Sequence, residues 1–128
     1  MTWQDMALAA GGVVGAGVAL IHGELTQRFI VRPFAEIADG RMPPAIRRLV
    51  PALLHFSTFA WFVGGLALVV AAIGFGPQAK LATALVVGSG YLFGAVGNFW
   101  GTRGRHPGWM AMSLALALVG VSFLPAAA

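Results

Sequence analysis

The residues with the most chemical reach in this 128-residue chain are three histidines, His22, His55 and His106, with Glu24 two positions after the first of them. Imidazole ligates transition metals and haem iron and exchanges protons near neutral pH. Three imidazoles with a carboxylate suit Zn, Fe or Cu. In that arrangement His22 and His55 are direct ligands, Glu24 a ligand or orienting base, and His106 a further ligand. Asn98 and Arg28 would hold them by hydrogen bonds. Two facing imidazoles would instead suit a b-type haem, with Phe56, Phe59 and Trp61 as its apolar surroundings. A His–Glu pair also suits a proton relay. Each histidine has a plainer reading too. His22 caps a helix end through the helix dipole, His55 makes a lone interhelical hydrogen bond, and His106 touches lipid headgroups from a short basic loop. Nucleophilic catalysis finds no support, because the chain has no cysteine and no Gly-x-Ser-x-Gly elbow. It also lacks a phosphate-binding loop and a dinucleotide fingerprint.

What must position these residues is set by composition. The chain is 59% hydrophobic and 9% charged, against about 25% charged in a soluble domain. Mean hydropathy is +0.84. Eight basic and four acidic side chains cannot cover a water-exposed surface, so lipid is the expected solvent. Four apolar runs stand out, about Met6–His22, Leu49–Phe75, Leu81–Trp100 and Trp109–Leu124. Each lies near the ~20 residues that cross a ~30 Å hydrocarbon core, the first and last at the short end.

The expectation is an all-α polytopic membrane protein, one domain over residues 1–128 with four transmembrane helices in a bundle. Their bounds are expected at about 3–31, 44–75, 79–100 and 107–125, with a polar interfacial segment at 32–43. Thr2 and Asp5 form a capping-box pattern, and Glu24 and Arg28 an i,i+4 pair. Arg32-Pro33 is expected to stop the first helix. Pro44 and Pro107 are placed to open the second and fourth helices, and Pro51 is a kink site. The N-terminal residues carry an acid and no base, so the first run reads as a permanent helix and not a cleaved signal.

Seven of the eight bases, Arg28, Arg32, Arg41, Arg47, Arg48, Arg103 and Arg105, fall in the first and third connections; Lys80 alone lies in the second. The positive-inside rule makes the arginine side cytoplasmic and puts both termini outside, in a bacterial inner membrane. Trp3, Trp100 and Trp109 then sit at interfaces. All three histidines and Asn98 gather at the cytoplasmic end, His55 about 9 Å into its helix at 1.5 Å per residue. The computed isoelectric point is near 11.3, yet the arginines read as orientation signals, with Arg47, Arg48, Arg103 and Arg105 also contacting anionic lipid headgroups. Nucleic acid is not expected. Gly11-x-x-x-Gly15 and Gly90-x-x-x-Gly94 are expected to bring the first and third helices close, within the bundle or between subunits of a homo-oligomer.

Three segments resemble those of a family of small uncharacterised bacterial four-helix membrane proteins. They are His22-Gly23-Glu24 with Arg28, the stretch Leu54-His55-Phe56 through Trp61, and Arg103-Gly104-Arg105-His106-Pro107-Gly108-Trp109. The resemblance implies fold and location, not an activity, and it picks out the three histidines and Glu24. The dozen residues His55 to Leu66 also look like the His…Trp-x-Gly-Gly helix of CopD-type copper-resistance membrane proteins. They are similar to a helix of a bacterial membrane haem-biosynthesis oxidase as well. That likeness implies copper or haem ligation by His55 alone; the rest of either pattern is missing. The expected role is therefore a ligand site, metal or haem, at the cytoplasmic end. The rivals are an accessory subunit of a membrane complex and a small oligomeric channel or transporter with proton-gating histidines.

Overall fold

The computed structural model describes residues 1–125, all of whose regular structure is helical. Helix α1 (Trp3–Thr26) opens on the expected capping box: the Thr2 hydroxyl accepts from the Asp5 N–H, and the Asp5 carboxylate accepts from the Thr2 N–H. Its last turn does not stop at Arg32-Pro33. A π-helical turn at Gln27–Val31 carries the chain through Pro33 into α2 (Arg32–Ala38). The reason is local. Proline lacks the N–H its helical position would use, and its ring collides with the preceding turn. Widening that turn, so that the Arg32 N–H reaches Gln27 O, removes the collision without ending the helix. Of the segment expected to lie at the interface, only 39–43 is non-helical, a turn around Gly40 at φ 67.

Pro44 opens α3 (Pro44–Gly74), and Pro51 sits inside it without ending it. Pro77 opens α4 (Pro77–Thr102), which closes on Arg103 in the left-handed conformation. Helix α5 (Gly108–Val121) has 14 residues and ends earlier than the expected 125. Pro125 disfavours helical geometry at Leu124, and Ser122 turns its hydroxyl onto Val119 O. Three helical stretches, Trp3–Ala38, Pro44–Gly74 and Pro77–Thr102, are long and apolar enough to cross a membrane. Helix α5 rises only about 21 Å at 1.5 Å per residue.

The helices alternate in direction. Helix α1 packs most extensively on α3 and then on α5, and α4 packs on α5 and α3, so α1 and α4 stand diagonally across the bundle. Within the bundle this corrects the expectation of a close contact between the first and third apolar runs: their backbones stand apart, and Gly15 meets α4 only through the Tyr91 side chain. The closest backbone approach is α1 on α3. A Cβ on Gly12 would lie 2.5 Å from Gly65 O, and one on Gly65 would lie 2.5 Å from Gly12 O. Gly11 meets Ala115 and Val119 of α5. Gly15 is the seat of the Tyr91 hydroxyl, and Gly94 that of the Trp61 ring. Gly90 has its nearest neighbour, Trp61, at 4.0 Å and makes no such contact.

Burial runs opposite to that of a soluble bundle. Small residues and a few large ones (Leu8, Leu68, Tyr91, Met112) fill the inside. Val86, Phe93 and Trp100 are 74%, 79% and 82% exposed. Close packing over glycine and alanine, with large apolar side chains turned outward, is the pattern of helices that associate in an apolar solvent. At the end that holds residues 1–5 and 74–80, the Lys80 ammonium donates to the Asp5 carboxylate and ties α4 to α1. All three histidines lie at the opposite end.

Candidate site at the base-rich end

His22 is on the last-but-one turn of α1, and its ring leans on Trp61 with centroids 4.8 Å apart and planes tilted by 53°. Its Nε2 is 3.2 Å from Ser57 Oγ and 3.3 Å from Thr26 Oγ1. The Ser57 hydroxyl already donates to Leu54 O. It must therefore accept from His22, which places the imidazole proton on Nε2. His55, on the neighbouring turn of α3, has its Nε2 2.9 Å from Gln27 Oε1. A carbonyl oxygen accepts, so His55 Nε2 is the donor there.

His106 is tied differently. The Gly108 N–H donates to its Nδ1 at 3.0 Å, and Thr102 Oγ1 accepts from the His106 N–H. A nitrogen that accepts has no proton, so in the neutral ring the proton is on Nε2. The loop around it is built as a unit. Arg103 and Gly104 take positive φ values of 52 and 73, and the Gly104 N–H returns to Phe99 O. The Trp109 indole N–H donates to Gly104 O, and its ring meets Phe99 edge-on at 5.3 Å. A Cβ on Gly108 would come within 2.9 Å of His106 Nδ1. The Arg-Gly-Arg-His-Pro-Gly-Trp segment thus has a mechanical purpose: it closes α4, reverses the chain and starts α5.

His22, Thr26, Asn98, Thr102 and His106 line a cleft of about 320 Å³ between the ends of α1 and α4. Leu25, Phe29 and Ile30 form its apolar wall. His55 is not among its lining residues. Glu24 faces away, paired with Arg28 at 3.7 Å, with both side chains more than half exposed. Arg47 pairs with Asp39 at 2.9 Å, and Arg48 Nε donates to Pro44 O. Arg103 and Arg105 are exposed on the loop. Among the described residues no three His, Asp or Glu side chains come together in a group that could hold a metal ion.

In the hydrogen bonding present, the ring proton of each histidine is on Nε2. His106 cannot shift its proton to Nδ1 without opposing the Gly108 N–H. The three histidines and Glu24 are not gathered into one ligand set among the described residues. His22, Asn98, Thr102 and His106 form a hydrogen-bonding cleft, and His55 stands outside it on Gln27. Thr26, Ser57 and Thr102, which hold the cleft's histidines, and Gln27, which holds His55, are not among the residues the sequence singles out. Thr26 and Thr102 stand four residues from His22 and Asn98, one helical turn away, and that spacing was the available signal. Thr58, seated against Gly23, keeps a buried hydroxyl without a partner among the described residues.

Comparison with family models, curated proteins and solved structures finds no match. The likeness to small four-helix bacterial membrane proteins rests on the three segments quoted above.

Proposed function

We propose that this chain is an integral membrane protein of four crossings that binds a small ligand in the cleft between His22 and His106. Three long apolar helices with large exposed side chains support insertion. The short α5 completes the fourth crossing where the bilayer thins or polar ends reach in. The arginine-rich end faces the cytoplasm of a bacterial inner-membrane protein, and both termini face outward. The observation that carries the binding role is the cleft itself: polar groups of α1, α4 and the 103–107 loop converge where the two helices stand apart. Pockets of this kind, mainly apolar with a few placed polar groups, are the usual form of small-ligand sites.

The absence of cysteine makes the orientation directly measurable. In whole cells, Gln78→Cys is expected to react with a membrane-impermeant maleimide, and Arg103→Cys only after the cells are opened. Reversed labelling would overturn the orientation. For the site, organic extracts of protein purified in mild detergent are expected to contain a small molecule at near-stoichiometric amount. Asn98→Leu, which fills the cleft with an apolar side chain, is expected to deplete it. An unchanged extract would remove the cleft from consideration.

A further inference from the structure

We infer that the cleft takes an uncharged lipid whose head carries carbonyl oxygens, such as a quinone or an acylglycerol, with the His106 imidazole as its hydrogen-bond donor. This rests on the cleft reading above and names the ligand class.

The polar groups that line the cleft are mostly committed to one another. Thr102 Oγ1 donates to Asn98 O and accepts from the His106 N–H. One Asn98 amide hydrogen goes to Gly94 O. His22 Nε2 is engaged with Ser57. What remains is the Nε2–H of His106 and the second N–H of Asn98, for which the described residues offer no partner. Both are neutral donors. An acceptor oxygen without formal charge matches them.

Charge argues the same way. No Lys or Arg lines the cleft among the described residues. The nearby arginines are exposed, and Arg28 is paired with Glu24. A phosphate buried without a cation would pay a desolvation penalty that neutral donors do not offset. A carbonyl carries no such requirement.

The apolar wall gives the rest of the molecule. Phe29 and Ile30 are 70% and 48% exposed and line the cleft from the π-helical turn that follows α1. A head held at His106 would leave its tail on these side chains. A water-soluble ligand would gain nothing from that wall.

The test uses the full chain in a maltoside detergent, which has no ester carbonyl to compete. A decyl-substituted benzoquinone is titrated against tryptophan fluorescence, since Trp61 touches His22. A short-chain diacylglycerol and phosphatidic acid of equal chain length are tested as competitors. Saturable quenching is expected, or saturable diacylglycerol binding if the acylglycerol is the source. His106→Asn keeps an oxygen to accept from the Gly108 N–H and so preserves the turn, but lacks the imidazole donor. It is expected to weaken binding about tenfold with unchanged circular dichroism. Ile30→Trp, at a half-exposed position away from the turn, obstructs the tail path and is expected to do the same. Phosphatidic acid that outcompetes both neutral probes, with sensitivity to these variants, would overturn the ligand class and keep the cleft. Binding of every probe unaffected by either variant, or no saturable binding, would overturn both.

Discussion

Trp61→Ala is expected to destabilise the bundle by about 3–5 kcal/mol, the range for emptying a large aromatic site in a core. Trp61 is 9% exposed and stands between two helices. Its ring fills the notch left by Gly94, where a Cβ would come within 2.5 Å of Cζ2, and its carbonyl accepts from the Tyr91 hydroxyl at 3.4 Å. The ring also supports His22. Truncation therefore empties a space bounded by α1 and α4, whose backbones stand apart and which otherwise meet through Tyr91 on Gly15 and Lys80 on Asp5. Thermal unfolding in detergent, followed by circular dichroism, measures the loss. Gly94→Val forces the same contact from the other side, with an expected cost of about 1–3 kcal/mol for overpacking. Since both changes act on one contact, Trp61→Ala with Gly94→Val is expected to cost less than the sum of the two. Additive effects would mean that the notch and ring do not depend on each other.

Gly65→Ala is expected to cost about 1–3 kcal/mol although it adds a single methyl group. The added Cβ would lie 2.5 Å from Gly12 O and 2.9 Å from Ala16 N. Both are backbone atoms, so no rotamer change relieves the overlap and the helices must separate. Separation gives up dispersion contacts along the α1–α3 seam, which only close packing provides. Gly17→Ala is the matched control. It lies in α1, the helix that faces Gly65, with no atom within 4 Å of an added Cβ, and helix propensity alone favours alanine by up to about 1 kcal/mol. The expected pattern is opposite signs for the two substitutions in a denaturant titration. Equal effects would remove the seam as a determinant of stability.

These two sites show how unevenly the sequence displays its structure. Apolar run length and turn residues were enough to bound the helices, because hydrogen bonding within each helix is local and every break carries Pro or Gly. Pro33 shows the limit of that signal: a proline marks a collision with the preceding turn, and here the chain widens the turn instead of ending the helix. Gly11-x-x-x-Gly15 and Gly90-x-x-x-Gly94 identified positions with room, but not the partner. Gly15 receives a Tyr91 hydroxyl and Gly94 a Trp61 ring, while Gly65, outside both motifs, meets Gly12.

Composition and the lengths and order of the apolar runs determined that this chain forms long apolar helices and that its histidines fall at one end once successive helices alternate in direction. The tertiary structure alone decided what those histidines do. Whether an imidazole nitrogen ligates, donates or accepts is fixed by atoms from other helices: Ser57 for His22, Gln27 for His55, and for His106 a backbone N–H two residues on whose direction only the folded turn defines. Sequence spacing carries no proton position, so a metal centre and a neutral cleft look alike until those partners are in place.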